Sequence, residues 1–452
     1  MDDFRRNQLL KPARLAAVGL LLTVLTVFYT LRLYGEPQAV QQACPLPPVF
    51  EPPASCPPIA GPTEPPIELV ESMAAYFERY PPHGPLKDQF GERGQRAVQL
   101  KAWISFAARL EGAVKGRVEV AIELVGASVF PFLADPPDST TNPLRTLRER
   151  SVPDTRGVVI PTGTGNLRQA CHLIASLLHT HSTSLPIEIA YAGDEDLDEE
   201  SRDVISEMFP GGRLNFVDVL SVFNDTTLQL EGAGWAIKPF ALLASSFSEV
   251  ILADADTVFV QPPEVLFSQE AYVDKGAYLF HDRLTDKGRH EDQIRWWKEQ
   301  VAHPSAEVQK SLAWNEDWAE EGDSGVVVVD KSRLGTWMGM MHTAWQNSKD
   351  VREEVTHEIM YGDKESWWLG MELTEGEYEF ERYYGGVAGW LGDKEGVIDE
   401  EHAGNGTVGV CSYVTAHLDD EDRLLWYNGG LLKNKDRDQE TNELPPVTKR
   451  RP

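Results

Sequence analysis

Largely apolar runs, rather than alternating ones, mark the middle of this chain: Gly157-Val158-Val159-Ile160-Pro161, Pro186–Ala192, the run from Val250 that ends on Asp254 and Asp256 with a second short run up to Val260, and Val326–Val329. Runs of this kind, bounded by turn residues, read as strands covered on both faces. Helical patterns separate them. One helix starts near Asn166, after the turn Thr162-Gly163-Thr164-Gly165. A second covers Glu199–Met208, and a third covers Trp235–Phe247, with Phe240, Leu243 and Phe247 on one face. Repeated strand–helix units predict an α/β fold with a Rossmann-like, mostly parallel sheet. Farther on, Ser366–Glu372 reads as a helix and Cys411–His417 as a short strand. Upstream, Ile67–Tyr80 and Gln95–Leu110 read as helices; in the second, Leu100, Trp103, Ala107 and Leu110 recur at three- and four-residue spacing.

The first residues follow different rules. Leu15–Leu31 is uncharged and largely apolar, about the minimum length for a membrane span. Arg5, Arg6, Lys11 and Arg14 precede it and only Arg32 follows closely, which predicts a single-pass type II anchor with the remainder lumenal. The other reading, a cleavable signal peptide, has no clean small-X-small site after the apolar run. Pro37–Pro66 is too proline-dense for helix or central strand and reads as an extended stem. The expected organisation is therefore a tail at 1–14, an anchor at 15–34, a stem at 35–66, a helical region at 67–150, a main domain at 151–440 and a polar end at 441–452. Gly392–Gly406 reads as an acidic, glycine-rich surface loop.

Charge narrows the partners. With 42 Lys+Arg against 71 Asp+Glu, the chain carries −29, which argues against nucleic acid as a ligand. Asn224-Asp225-Thr226 and Asn405-Gly406-Thr407 are glycosylation sequons that a type II topology would expose to the lumen. An oxidising lumen would also permit Cys44–Cys56 and Cys171–Cys411 bridges, although spacing establishes neither.

The chemistry concentrates at Asp254-Ala255-Asp256, which an apolar strand delivers at its C-terminal end. Two carboxylates there suit Mg²⁺ or Mn²⁺, with an anionic diphosphate as the partner. The same residues through Val258 satisfy the haloacid-dehalogenase phosphatase pattern, with Asp254 as nucleophile and Asp256 as acid/base. That pattern belongs on the first strand of its core, and here two strand–helix units come earlier.

Taken in order, Arg156–Leu173, Pro186–Leu197, Gly234–Phe267, Asp323–Lys331, Gly362–Glu372 and Tyr413–Lys435 resemble the fungal α-1,3-mannosyltransferases of glycosyltransferase family 71. The resemblance implies a GT-A fold, a Golgi type II membrane protein, a GDP-mannose donor, Mn²⁺ and a mannosylated glycan acceptor. It also implies transfer with retention of configuration. Asp254 and Asp256 match the Asp-X-Asp that binds the metal–diphosphate. Lys238 falls where related enzymes carry a basic donor contact, and Thr162 and Gly163 fall where the nucleotide meets backbone. By similarity to family 8, His417 is a third metal ligand and Gly430-Leu431-Leu432-Lys433 holds the diphosphate through Gly430 and Lys433. The gap from His417 to Gly430 is longer than in that family. Asp363-Lys364-Glu365 stands where family 8 has Asp-Gln-Asp beside the transferred sugar, with Lys364 departing from the pattern. Asp323, Asp363 and Glu365 are the expected catalytic carboxylates, and Trp367 and Trp368 are either an acceptor platform or core. A membrane-anchored, non-catalytic sugar-binding subunit is the alternative from another class.

Overall fold

The computed structural model describes residues 65–211, 213–391 and 410–429. The expected anchor, stem, Asn405, Gly430 and Lys433 lie outside them. Among the described residues, no helix is long and apolar enough to cross a membrane.

Eleven strands are described: β1 (Val152–Pro161), β2 (Ile187–Tyr191), β3 (Leu214–Asp218), β4 (Phe247–Ala253), β5 (Thr257–Phe259), β6 (Ala277–His281), β7 (Gly322–Asp330), β8 (Glu379–Phe380), β9 (Gly386–Leu391), β10 (Val410–Leu418) and β11 (Leu424–Asn428). The central sheet has the order β3-β2-β1-β4-β7-β6-β8. Pairing is parallel from β3 through β4, antiparallel on both sides of β7, and parallel again between β6 and β8. The mostly parallel sheet is thus interrupted by one reversed strand.

Continuous apolar runs form these strands because both sheet faces are covered. Val159, Leu252, Val327 and Val329 point into one core, while Val158, Ile160, Ile251, Val326 and Val328 point into the other. This is the two-residue alternation of a pleated strand with apolar residues in both registers. The helices that matter for the site are α1 (Ile67–Arg79), α2 (Phe90–Ala107), α3 (Gly112–Val129), α4 (Leu167–Ala175), α5 (Glu199–Met208), α6 (Lys238–Ala244), α7 (Leu334–Gln346) and α8 (Ser366–Leu373). The α4 residues Ala170, Leu173 and Ile174 cover the second core; α1–α3, α7 and α8 contribute to the first.

Two expectations change. The helix expected over Trp235–Phe247 is a 3₁₀ turn at Gly234–Ile237, followed by α6, and Phe247 already begins β4. Pro239 fits the first turn of α6, where no backbone N–H is required. The apolar strand expected to deliver Asp254 and Asp256 at its C-terminal end is β4, and the second short run after it is β5; between them the Thr257 N–H donates to Asp254 O at 3.0 Å, closing a turn. The Cys171–Cys411 bridge is not formed, since Cys171 is a buried free thiol on α4, and Cys44 and Cys56 lie outside the described residues.

Candidate active-site cleft

Strand β1 pairs with β2 on one side and with β4 on the other, so the chain leaves β1 and β4 in different directions. A crevice opens outside the carboxyl ends of parallel strands at such a switch point. A cleft of about 450 Å³ occupies this place, lined by Thr162 and Gly163 beyond β1 and by Asp254, Ala255 and Asp256 beyond β4. Lys238 and Trp235 supply another part of its wall. Five residues expected from sequence to bind donor or metal therefore meet in one cavity.

The Asp254 N–H donates to Gly325 O at 2.8 Å, so β7 fixes the acidic turn. On the far side of the turn, β5 pairs with β11, setting Thr257 opposite Asn428 and Phe259 opposite Trp426. The Gly429 N–H then reaches Asp256 O at 3.2 Å. A second, antiparallel sheet, β5-β11-β10-β9, thereby joins the distal part of the chain to the aspartate pair.

Lys238 is 2% exposed, and its Nζ donates to Ser324 O at 2.9 Å and Ser324 Oγ at 2.8 Å. Its ion pairs run to Asp254 Oδ1 at 3.2 Å and Asp363 Oδ2 at 2.9 Å. Burial works against the ammonium charge, but Asp254 and Asp363 outweigh it and raise the lysine above its ordinary pKa. Burial pushes the Asp254 carboxyl up to about 7; Lys238 opposes the rise, and Asp363 and Asp256 add to it. Expected as a donor contact, Lys238 is instead occupied in holding two carboxylates together.

Behind this wall lies a buried chain of acids. Asp363 also accepts from Trp367 Nε1 at 2.8 Å. Asp323 accepts the Gly325 N–H at 2.8 Å and the Asn428 carboxamide at 3.4 Å. His417 bridges Glu381, 2.6 Å from Nδ1, and Asp323, 3.4 Å from Nε2, with its ring stacked on Trp426 at 4.0 Å. Burial opposes the imidazolium, yet Glu381 and Asp323 lift its pKa to about 9. In turn, His417 brings Asp323 down to about 2 against the effect of burial. Both ring nitrogens of His417, expected as a third metal ligand beside Asp254 and Asp256, thus face the buried carboxylates of Glu381 and Asp323.

Glu365 is corrected as well. It is fully buried; Oε1 accepts the N–H groups of Glu321 and Gly322 at 3.0 and 3.2 Å, and Oε2 accepts Trp368 Nε1. Burial pushes its pKa up to about 8. It pins the start of β7 and does not border the cleft. Lys364 pairs with Asp282 and Glu320, and Trp367 and Trp368, each 2% exposed, belong to the core.

Two residues escaped the sequence reading. Asp196 lines the cleft, accepts the Ala192 N–H at 3.0 Å, and has Oδ1 only 2.4 Å from where a Cβ on Gly163 would stand. Close approach is therefore what requires glycine at 163. Asp196 lies between β2 and α5, where no apolar or helical pattern marks it. Asn428 was hidden because strand β11 itself went unrecognised.

The residues fit a divalent cation. Among the described residues, no group of three or more His, Cys, Asp or Glu is arranged to hold a metal. Asp254 and Asp256 nevertheless present two hard oxygen donors to an open cleft, which suits an ion that completes its shell with phosphate and water.

Fold and cleft together define an α/β protein with an acidic ligand site at a topological switch point. Residues 155–419 match the family described as "Mannosyltransferase putative", and the chain belongs to that family. The chain is 29% identical over 345 residues to "Putative alpha-1,3-mannosyltransferase MNN15" of Candida albicans, covering 64% of this chain and 43% of the relative. It is 29% identical over 276 residues to "Alpha-1,3-mannosyltransferase MNT3" of Saccharomyces cerevisiae, covering 55% and 42%. The chain thus spans less than half the length of these relatives. The solved galactosyltransferase LgtC matches loosely, with a TM-score of 0.32 and 12% identity over 50% of this chain and 73% of that one.

Proposed function

We propose that this chain is a GT-A hexosyltransferase that moves mannose from GDP-mannose to a mannose-containing glycan, in α-1,3 linkage and with retention of configuration. The observation that carries the proposal is the convergence of the Thr162–Gly163 turn and the Asp254–Asp256 turn on one cleft, in a chain of this family. The phosphatase reading is not favoured, because three strands precede β4 in the sheet.

In this reading, Thr162 and Gly163 hold the nucleotide, while Asp254 and Asp256 hold Mn²⁺ or Mg²⁺. Such an ion, when bound, neutralises the diphosphate as GDP departs. Lys238 keeps Asp254 and Asp363 in place; Asp363 and Asp323, expected from sequence as sugar-bordering carboxylates, stand buried behind the cleft wall, paired with Lys238 and His417. The anchor over residues 15–34 would place the enzyme in the Golgi membrane with its cleft lumenal.

A donor screen with the purified protein tests the chemistry: GDP-mannose with an α-mannoside acceptor is expected to yield GDP and an extended glycan. Turnover with a different sugar nucleotide alone would replace mannose in the proposal. Protease protection in sealed vesicles tests the topology, and cleavage of the domain from the cytoplasmic side would overturn it.

A further inference from the structure

Trp367 and Trp368 are sealed in the core, yet Trp235 stands at the cleft with a second aromatic ring, Tyr361, beside it. Trp235 is 50% exposed and Tyr361 is 60% exposed. Their ring centroids are 5.7 Å apart, with the planes at 42°. Trp235 lines the same cleft as Asp254 and Lys238.

This pair is built into the site's own framework. Gly362 adopts φ +62°, and a Cβ there would lie 3.0 Å from Trp235 Cε3, so the indole packs against a residue that must be glycine. The next residue, Asp363, meets Lys238 at 2.9 Å, and Lys238 begins the helix three positions after Trp235. Segments 235–238 and 361–363 are thus joined twice, by an ion pair inside and by an aromatic contact outside. Lys364 Nζ lies 5.0 Å from the Tyr361 ring centroid.

Large exposed aromatics beside a cleft are a common signature of recognition. Ring faces carry partial negative charge, and the C–H face of a pyranose carries partial positive charge. The turn at Thr162 and Gly163 is where the nucleotide is proposed to bind, whereas the aromatic pair belongs to a different part of the framework, the joined segments 235–238 and 361–363. We propose that Trp235 and Tyr361 form a platform that stacks a pyranose ring of the acceptor glycan. This inference rests on the transferase reading above.

The test uses the full chain and its Trp235→Ala, Tyr361→Ala and Trp235→Phe variants. Binding of an α-linked mannotriose is followed by saturation-transfer NMR in the presence of GDP and Mn²⁺, GDP affinity by calorimetry, and acceptor and donor KM by turnover. Each alanine variant is expected to weaken mannotriose binding and raise acceptor KM about three- to tenfold, the worth of one aromatic stack. Trp235→Phe should retain most of the binding, and GDP affinity should hold in all three. Unchanged mannotriose binding in both alanine variants overturns the platform, as does a fall in GDP affinity that matches the loss of acceptor, which would make it a nucleobase platform. Mannotriose bound through these residues by a protein that transfers no sugar would sink the transferase reading and leave the platform standing. Transfer unaffected by the alanine variants would do the reverse.

Discussion

Lys238 Nζ stands 2.9 Å from Asp363 Oδ2 and holds a carboxylate from the turn before α8 against the acidic turn after β4. One buried ammonium serves both Asp363 and Asp254, so removing it leaves two carboxylates without a cation. Lys238→Met is expected to cost about 3–5 kcal/mol of stability, the usual result of breaking a buried pair. Lys238→Arg should also be damaging, because a planar guanidinium cannot reproduce a compact point charge in this space. Chemical denaturation reads both effects; a Lys238→Met protein as stable as wild type would contradict the shared-cation geometry.

The aspartate turn should govern activity without governing the fold. Asp254→Asn or Asp256→Asn preserves shape and removes a negative charge, and transfer should fall about 10²–10³-fold. EDTA should abolish wild-type transfer and Mn²⁺ should restore it. Wild-type rates from either folded variant would refute the assignment of metal and diphosphate to this turn.

His417 should act on stability and leave metal affinity alone. His417→Gln strips the cation from between Glu381 and Asp323, at a cost of about 3–5 kcal/mol. The histidine pKa is raised from 6.5 to about 9 on folding, so its contribution is complete below pH 6.5 and disappears as pH climbs through 9. The stability gap between wild type and His417→Gln should therefore narrow over that window, as read by urea midpoints. Excess Mn²⁺ should not rescue the variant; full rescue would return His417 to the metal shell.

Gly163→Ala should weaken donor binding selectively. The added methyl carbon would sit 2.4 Å from Asp196 Oδ1, forcing apart the β1 turn and the loop after β2 at the cleft wall. Donor KM should rise several-fold, with little change in acceptor KM. An unchanged donor KM would place the nucleotide away from this turn.

Local signals were strong where the chain solves its own problem. Continuous apolar runs betrayed β1, β2, β4 and β7 because a strand covered on both faces cannot alternate. Glu199–Met208 matched its helix at both ends, since Asp198 caps it by accepting the Ser201 N–H and Phe209 follows outside the helix. Asp254, Asp256, Thr162 and Gly163 were legible because an Asp-X-Asp and a glycine turn at strand ends are local patterns with a chemical reason. What remained hidden depends on partners distant in sequence. The reversed direction of β7 and the pairing of β5 with β11 across more than a hundred and fifty residues leave no periodic trace. His417 looked like a ligand while only its neighbours along the chain were known, and Glu381 and Asp323 turned it into a buried cation. Lys238, Glu365, Trp367 and Trp368 changed roles in the same way. Burial removes water as a partner, so each polar group takes whatever charge or hydrogen bond the fold brings within reach. Only the packed chain decides which groups those are.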